Sequence, residues 1–285
     1  MSTHRELASS ARPEIKVRKP SFRFSEVPRY WLWGNARATA MANALNLVFP
    51  AGERFFIRSV KHFVDRLARE WDDPELLEQV RRFMGQEVRH GMEHERFFEA
   101  LVAQGYEIRS FVEWYERIAY GIIEKNSSPK LRLAVTVALE HFTAMFAERA
   151  LTRPVLSEHA HPAMRDLLSW HACEELEHKS VAFDVLQRVD PSYALRIAGL
   201  ACASSALVYF WIAGAHHLMK QEPPERRRPS REELRVAREH NVLLNGEFLR
   251  AFLDYLRPDF HPAQKDDYHL AREWLARNGE AIGVA

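Results

Sequence analysis

The chain has little glycine and little cysteine, and its charges nearly cancel. With 11 glycines in 285 residues, and with alternating β-type runs nearly absent, we expect an almost entirely α-helical protein. The two cysteines, Cys173 and Cys202, form no Cys-x-x-Cys pair, which argues against a zinc ribbon or redox motif and favours a reducing cytosol. The 40 Lys and Arg residues against 39 Asp and Glu give no general attraction to nucleic acid.

The ends of the chain are polar, and its middle is apolar enough to bury a large core. We expect an N-terminal arm over 1–33, a helical bundle over 34–256 and a C-terminal helix packed on that bundle over 257–285. Residues 1–19 contain no apolar core segment, so we expect no signal peptide and a cytoplasmic protein. Aromatic residues such as Phe22 and Trp31 either pin the arm to the body, which we favour, or meet a membrane surface.

Helical periodicity and end signals predict six long helical runs before the C-terminal region. Pro50 and Gly52 are expected to break or kink the helix between the first run and the second. Glu53 would then lie in a first turn, where the helix dipole alone can explain an acidic residue. A capping box at Ser230 and Glu233 opens a further amphipathic helix towards residue 245. The six runs cover residues 36–48, 51–69, 72–104, 130–153, 161–190 and 193–219.

The run over 193–219 is the most apolar part of the chain. Residues 197–215 carry no charge, a length that just reaches a transmembrane candidate, and the basic stretch 226–228 follows as a cytoplasmic flank would. A central helix buried on all sides explains the same pattern. We favour the buried helix and keep contact with a membrane through 193–219 as the alternative.

The chemistry of the chain is concentrated in two Glu-x-x-His pairs, Glu87-Val-Arg-His90 and Glu175-Leu-Glu-His178. In a helix, residues three and four apart share a face, so each pair points its carboxylate and imidazole the same way. His171 precedes Glu175 by four residues and extends the stripe. Four-helix bundles build di-iron and di-manganese sites from two such pairs and two further glutamates on facing helices.

The order of these residues is more informative than the pairs themselves. Chance placement of 14 His among this many Glu would give about one or two Glu-x-x-His pairs. A third pair, Glu158 to His161, runs into Pro162 and is interpreted as a chance surface feature. The other two alternate with single glutamates, Glu53 and Glu140, on successive helices. This order indicates an all-α, ferritin-like four-helix bundle with a dinuclear metal site and additional C-terminal helices.

Other polar residues near the two pairs have predicted supporting roles. His171 is a candidate third imidazole ligand, and His94 is a weaker candidate as a ligand or an outer neighbour. Gln86 and Glu174 each precede a predicted ligand and could hydrogen-bond the ligand histidine of the opposite helix, which would fix its ring orientation. His141 points about 100° away from Glu140 on a helical wheel, so we interpret it as structural.

Three segments resemble the bacterial "predicted metal-dependent hydrolase" family, over about residues 25–260. They are Phe49-Pro-Ala-Gly-Glu-Arg-Phe-Phe56, then Phe83-Met-Gly-Gln-Glu-Val-Arg-His90 with His94, and Trp170-His171 continuing to Ala182-Phe-Asp184. The name of that family is itself a prediction, so the resemblance implies a metal site more strongly than it implies hydrolysis.

The segment His171-x-x-x-Glu175-x-x-His178 is also similar to the three-histidine site of the p-aminobenzoate N-oxygenase group of di-iron enzymes. Outside the ligand pattern there is no close match, so no substrate is carried over. Position by position, this resemblance implies seven metal ligands: Glu53, Glu87, His90, Glu140, His171, Glu175 and His178.

Three functions remain open, and they share this site. The first is a non-haem di-iron oxidase or oxygenase that uses O2 to oxidise a small-molecule or lipid-like substrate. The second is a metal-dependent hydrolase that uses a metal-activated water, and no Gly-x-Ser-x-Gly segment offers a serine nucleophile instead. The third is iron or manganese binding without turnover.

The predicted cofactors and partners follow from the first hypothesis. Two iron ions are expected, with manganese as the alternative and zinc if the protein is a hydrolase. No nucleic-acid partner is expected, the electron donor is unidentified, and a homodimer is an open alternative.

Overall fold

The computed structural model describes residues 14–284 apart from 72, 232, 236–245 and the side chains of 247 and 248. Most of the described residues are helical, and they contain no β-strand beyond an isolated bridge between Leu32 and Ala160. The fold is therefore all-α, as predicted. Its α-helices are α1 (Ala36–Lys61), α2 (Val64–Arg69), α3 (Pro74–Ala103), α4 (Arg109–Glu116), α5 (Pro129–Thr152), α6 (Pro154–His159), α7 (Pro162–His178), α8 (Val181–Val189), α9 (Tyr193–Met219), α10 (Pro224–Arg227), α11 (Gly246–Tyr255) and α12 (Tyr268–Asn278).

Two short elements complete the helical set. A π-helix at Arg117–Glu124 continues α4, and a 3₁₀-helix at Pro262–Gln264 precedes α12. The long helices α1, α3, α5, α7 and α9 pack on one another around an apolar core, and α12 packs against α7.

Helix α1 continues through Pro50 to Lys61, so a break at this residue, one of the two predicted outcomes, is wrong. Proline cannot donate a backbone hydrogen bond and costs a helix interior about 3 kcal/mol. Ala44, Leu47, Phe55 and Val60 are buried on both sides of it. Burying each large apolar side chain contributes about 1.5–3 kcal/mol, which offsets that cost. Glu53 consequently lies mid-helix, where the helix dipole does not explain it.

Side-chain caps define the beginning of the other long helices. Asp73 accepts a hydrogen bond from Leu76 N before α3, and Ser128 does the same for Leu131 N before α5. Helix α3 ends before Gly105, which has φ +87°, a conformation that glycine adopts without strain. These bounds lie within a few residues of the predicted ones.

The predicted helix over 161–190 is two helices. Helix α7 ends at His178, and the chain turns at Lys179 and Ser180 before α8 begins at Val181. The Lys179 ammonium is buried at this turn, where it pairs with Asp267 and donates to Lys265 O at 2.8 Å. The turn directs α8 against α3 and α5.

Helix α9 is buried on one side only, so the expectation of a helix buried all round is wrong. Leu200, Ala203 and Phe210 face the core, whereas Val208 and Ile212 are 53% and 59% exposed. Among the described residues α9 is the one helix long and apolar enough to cross a membrane, and a soluble core helix passes the same test. Contact with a membrane stays a prediction.

The described part of the N-terminal arm lies against the helices. Phe22, Phe24 and Trp31 are buried, and Trp31 Nε1 donates to Asn43 Oδ1 at 2.8 Å. The capping box is present, because Ser230 Oγ accepts from Glu233 N and Glu233 Oε2 accepts from Ser230 N. Residues 1–13 of the arm and most of the helix predicted after Glu233 lie outside the described residues.

Candidate metal centre

Four helices point carboxylates and imidazoles at one place in the interior. The structure brings together all seven residues that the sequence singled out, and each is at most 5% exposed. That they bind metal ions stays a prediction. The seven residues are Glu53 on α1, Glu87 and His90 on α3, Glu140 on α5, and His171, Glu175 and His178 on α7.

The helical repeat explains how α3 presents its two side chains. Leu76, Val80 and Phe83 form the buried stripe of the helix, and Glu87 and His90 continue that stripe at the same spacing. Gly91 lies where α3 meets α1, since a Cβ there would stand 3.1 Å from Glu53 Oε2 and 3.7 Å from Pro50 Cα. A glycine at this position therefore lets the Glu53 carboxylate approach α3.

The donor atoms form three overlapping groups that could each hold a metal ion. Within each group the atoms lie within 4.8 Å of one another. Because Glu87 and His90 each belong to two groups, the groups make up one continuous cluster. The groups are Glu53, His90 and His171; Glu87, Glu140 and His178; and Glu87, His90 and Glu175.

Glu175 lies at the middle of the cluster. Its Oε1 is 2.8 Å from His171 Nε2 and 3.5 Å from His90 Nδ1, while its Oε2 is 3.5 Å from His178 Nε2. The two oxygens of one carboxylate thus face two different sets of imidazoles. Glu87 Oε1 is similarly placed, 3.9 Å from His90 Nδ1 and 3.1 Å from His178 Nε2. A carboxylate in either position could bridge two ions.

The cluster contains an unusual number of buried polar atoms without hydrogen bonds. Burying such an atom unpaired costs about 1–3 kcal/mol, and more for a charged group. Metal ions bound in the cluster would coordinate these atoms and so remove this cost. The atoms without a hydrogen-bond partner among the described residues are both carboxylate oxygens of Glu53, Glu87 and Glu140, together with Glu175 Oε2, His90 Nδ1 and His178 Nε2.

The charge of the cluster also matches that of two divalent metal ions. Four carboxylates would carry four negative charges in a dry interior, and two divalent cations carry four positive ones. Without metal, burial raises the pKa of Glu53 and Glu87 well above the ordinary value, and the neighbouring carboxylates raise it further. Burial also raises the pKa of Glu140, to about 7. These carboxyls therefore hold protons where a metal ion would replace them.

Glu175 and His178 behave as an ion pair in the metal-free protein. Burial acts against both charges, but His178 and the hydrogen bond to His171 hold the pKa of Glu175 well below the ordinary value. The same attraction, from Glu175 and Glu140, raises the pKa of His178 above its usual range despite burial. One proton on His178 partly offsets the charge of the carboxylates.

The two predicted hydrogen bonds to the histidines are present. Glu174 Oε2 accepts from His90 Nε2 at 3.1 Å, and Gln86 Oε1 accepts from His178 Nδ1 at 2.9 Å. Each bond occupies one ring nitrogen and leaves the other, His90 Nδ1 or His178 Nε2, facing the cluster. Partners of this kind fix the tautomer and the orientation of metal-binding histidines.

The N-terminal arm supplies a residue that sequence reasoning missed. Arg18 donates to Glu174 Oε1 at 3.1 Å and holds both oxygens of Glu177, at 2.7 and 2.8 Å. Glu177 in turn accepts from Gln86 Nε2 at 2.9 Å. Burial raises the pKa of Glu174 to about 8 against the lowering effect of Arg18. The basic stretch around Arg18 was the only signal in the sequence, and it was interpreted as part of an arm.

His94 hydrogen-bonds through both ring nitrogens, so it is placed beside the cluster rather than as a ligand. Its Nδ1 lies 2.8 Å from Asn46 Oδ1, and its Nε2 lies 2.7 Å from His171 Nδ1. Asn46 Nδ2 donates to Ala42 O, which fixes the amide so that its oxygen accepts from His94. His94 Nε2 then accepts from His171 Nδ1, which holds the ring so that His171 Nε2 faces Glu175.

The remaining histidines considered in the sequence lie elsewhere. His141 Nε2 donates to Ala251 O at 3.0 Å, in agreement with a structural role. The third Glu-x-x-His pair lies away from the centre, with Glu158 exposed in α6 and His161 at the start of α7.

A family of known proteins is similar to this chain over most of its length. No curated protein and no solved structure matches the chain significantly. The model of one protein family, described as "Predicted metal-dependent hydrolase", matches residues 16–266. This span contains every residue of the cluster, together with Arg18, Gln86 and Glu174. The chain therefore belongs to the predicted metal-dependent hydrolase family.

Proposed function

We propose that the cluster binds two divalent metal ions and that the protein is a metal-dependent enzyme acting on an apolar substrate. The observation that carries this proposal is the set of buried carboxylate and imidazole atoms without hydrogen-bond partners, which face one another from four helices. A structural role would leave these groups buried at a cost and unpaired.

Each residue has a role that follows from its position. Glu53, His90 and His171 would hold one ion, and Glu140 and His178 the other, with Glu175 and Glu87 between them. Glu174, Gln86 and His94 would orient the three imidazoles through the hydrogen bonds already described.

Among the reactions of such a centre, the donor set favours oxidation. Four carboxylates with three imidazoles suit iron or manganese, and the same set on four helices is typical of di-iron proteins. When bound, two iron ions supply the redox chemistry with O2. An apolar cavity lined by Phe49, Phe55 and Tyr120 reaches Glu53 and Glu175, so the chain itself would bind an apolar substrate there and exclude water.

Hydrolysis is the second candidate, and the family match favours it over oxidation. A bound metal ion lowers the pKa of its water and so generates a nucleophile at neutral pH. In that case the chain's carboxylates would hold the ions and take up the proton of the water. The substrate would be an ester or amide with an apolar body.

Metal content per chain tests the proposal and separates the candidates. We expect about two metal ions per wild-type chain and none in Glu87→Ala or Glu175→Ala, with helical content unchanged by circular dichroism. Glu158→Ala, in the exposed third pair, is the matched control and should bind metal as the wild type does. Full metal occupancy in both cluster variants would overturn the proposal.

Activity then assigns the reaction. Protein loaded anaerobically with Fe(II) should consume O2 in a single turnover if it is an oxidase. Ester hydrolysis by zinc-loaded protein that is independent of O2 would assign it as a hydrolase instead.

A further inference from the structure

Two separate apolar cavities end at the metal centre. The first, of about 160 Å³, lies among α1, the π-helix, α5 and α9, and its walls include Phe55, Tyr120, Leu139 and Leu207. The second, of about 380 Å³, lies among the arm, α1, α5, α7 and α9, and its walls include Leu32, Met41, Leu168 and Trp211. Concave sites with mostly apolar walls and a few polar groups are typical binding sites for apolar ligands.

The two cavities share one stretch of wall. Phe49, Thr143 and Phe146 line both of them, and so do the predicted ligands His171 and Glu175. Both cavities therefore reach the same face of the metal centre, with two phenylalanine rings at their junction.

Each cavity also has lining residues in contact with solvent. Ile123 and Cys202 line the first cavity and are exposed, and Arg153 lines the second and is exposed. The outer ends of both cavities therefore lie at the protein surface.

We propose that the two cavities together bind one long, unbranched hydrocarbon chain, with a carbon from its middle beside Glu175 and His171. This proposal rests on the proposed function, because the carbon held beside Glu175 and His171 would react only if the cluster binds the metal ions. Chain length and the depth of each cavity would then select which carbon lies beside the metals.

The sizes and the lining of the two cavities favour an unbranched hydrocarbon chain over a compact ligand. An apolar cavity of about 150 Å³ holds a benzene ring, so the first cavity has room for about six carbon atoms and the second for roughly twice that number. Phe49 and Phe146 line both cavities, so their rings would flank the chain where it passes from one cavity to the other. Most of the lining is apolar, and its charged side chains away from the metal centre are Glu124 and Arg132 in the first cavity and Arg149 and Arg153 in the second.

Matched alanine-to-tryptophan variants test the proposal. Ala206→Trp fills the first cavity and Ala42→Trp fills the second, because each alanine lines one cavity only. Ala201→Trp, on an exposed position of α9, is the control. Octadecanoate and hexanoate are titrated against metal-free and zinc-loaded protein by displacement of a fluorescent octadecatetraenoic acid.

We expect each cavity variant to weaken octadecanoate binding by about tenfold or more, and the control to leave it unchanged. Hexanoate, which one cavity can hold, should be affected by at most one of the two variants. Octadecanoate binding that is unchanged in either cavity variant, or no octadecanoate binding by the wild type, would overturn the proposal.

A chemical block avoids dependence on how the variants fold. Cys202 lines the first cavity and is exposed, whereas Cys173 is fully buried, so a benzyl thiosulfonate reagent should modify Cys202 alone. The modified wild type should lose octadecanoate affinity by the same factor as Ala206→Trp, and unchanged affinity would contradict the proposal. These readouts need no turnover, so tight binding of octadecanoate in a protein that fails to bind two metals would overturn the proposed function alone.

Discussion

Gln86 shows how one side chain can determine the state of a predicted ligand. Its Nε2 donates to Glu177 Oε2 at 2.9 Å, which fixes the amide so that Oε1 accepts from His178 Nδ1. His178 is thereby left with Nε2 towards Glu87 and Glu140. The orientation of the imidazole is therefore set by residues outside the cluster.

Replacing Gln86 should therefore weaken metal binding without removing a ligand. We expect Gln86→Leu to lower metal affinity about 10–100-fold, because His178 loses the bond that orients its ring. Competition with a chelator of known affinity measures this change. Gln221→Leu, at a surface position bonded to Glu107 O, should leave the affinity as it is. Equal affinities for the two variants would show that Gln86 does not orient a ligand.

The carboxyl groups of the cluster predict how metal binding depends on pH. In the metal-free protein the pKa of Glu140 is about 7, and the pKa values of Glu53 and Glu87 are raised as well. Metal ions must displace these protons and also the proton on His178, whose pKa is raised by Glu175 and Glu140. Affinity should therefore rise between about pH 6 and 8, and fewer protons should be released at the higher pH. Calorimetry in buffers of different ionisation enthalpy counts the protons, and a pH-independent affinity would contradict this prediction.

The packing of α9 on α5 depends on one glycine. A Cβ at Gly199 would lie 2.5 Å from the backbone C and O of Ala134, and backbone atoms in a helix cannot move aside cheaply. The two helices are in backbone contact here. Because α9 forms part of the wall of the first cavity, this contact fixes the position of that wall.

Adding a methyl group at this contact should force the helices apart. We expect Gly199→Ala to lower the free energy of unfolding by about 1–3 kcal/mol or more, despite the better helix propensity of alanine. At Gly52 the nearest atom to an added Cβ is Tyr120 Oη at 3.8 Å, so Gly52→Ala should instead stabilise the protein by about 0.5–1 kcal/mol. Urea denaturation measures the free energy of unfolding of both variants and of the wild type. A stabilising effect at Gly199 would mean that α9 and α5 do not touch there.

Metal binding should change the stability of the whole molecule. The folded chain places the seven predicted ligands together, and an unfolded chain does not. Ions that bind only the folded state stabilise it by about 2.7 kcal/mol at a free concentration one hundred times the dissociation constant. We therefore expect chelation to lower the denaturation midpoint of the wild type. Glu175→Ala, which lacks the central carboxylate, should unfold at the same midpoint with and without chelator, and a metal-dependent shift in this variant would argue for a different site.

The sequence by itself determined the helical class, most helix bounds and the seven clustered residues. Each of these properties can be recognised within a single helix. The backbone hydrogen bonds of a helix set a period of 3.6 residues, so side chains on the same face recur at that spacing in the sequence. Glu87, His90, Glu175 and His178 were therefore recognisable before their helices were placed. The hydrogen bonds from Gln86 and Glu174 followed from the same periodicity on opposite helices.

Only the tertiary structure decided the features that depend on contacts between distant segments. Burial along α1 carried the helix through Pro50, and the turn at Lys179 follows its pairing with Asp267, 88 residues away. Arg18 reaches Glu174 across 156 residues, and His94 was placed behind His171 by Asn46 on another helix. Such contacts leave no periodic trace in the sequence, because they arise when packed surfaces meet. The two cavities that converge on Glu175 belong to the same category.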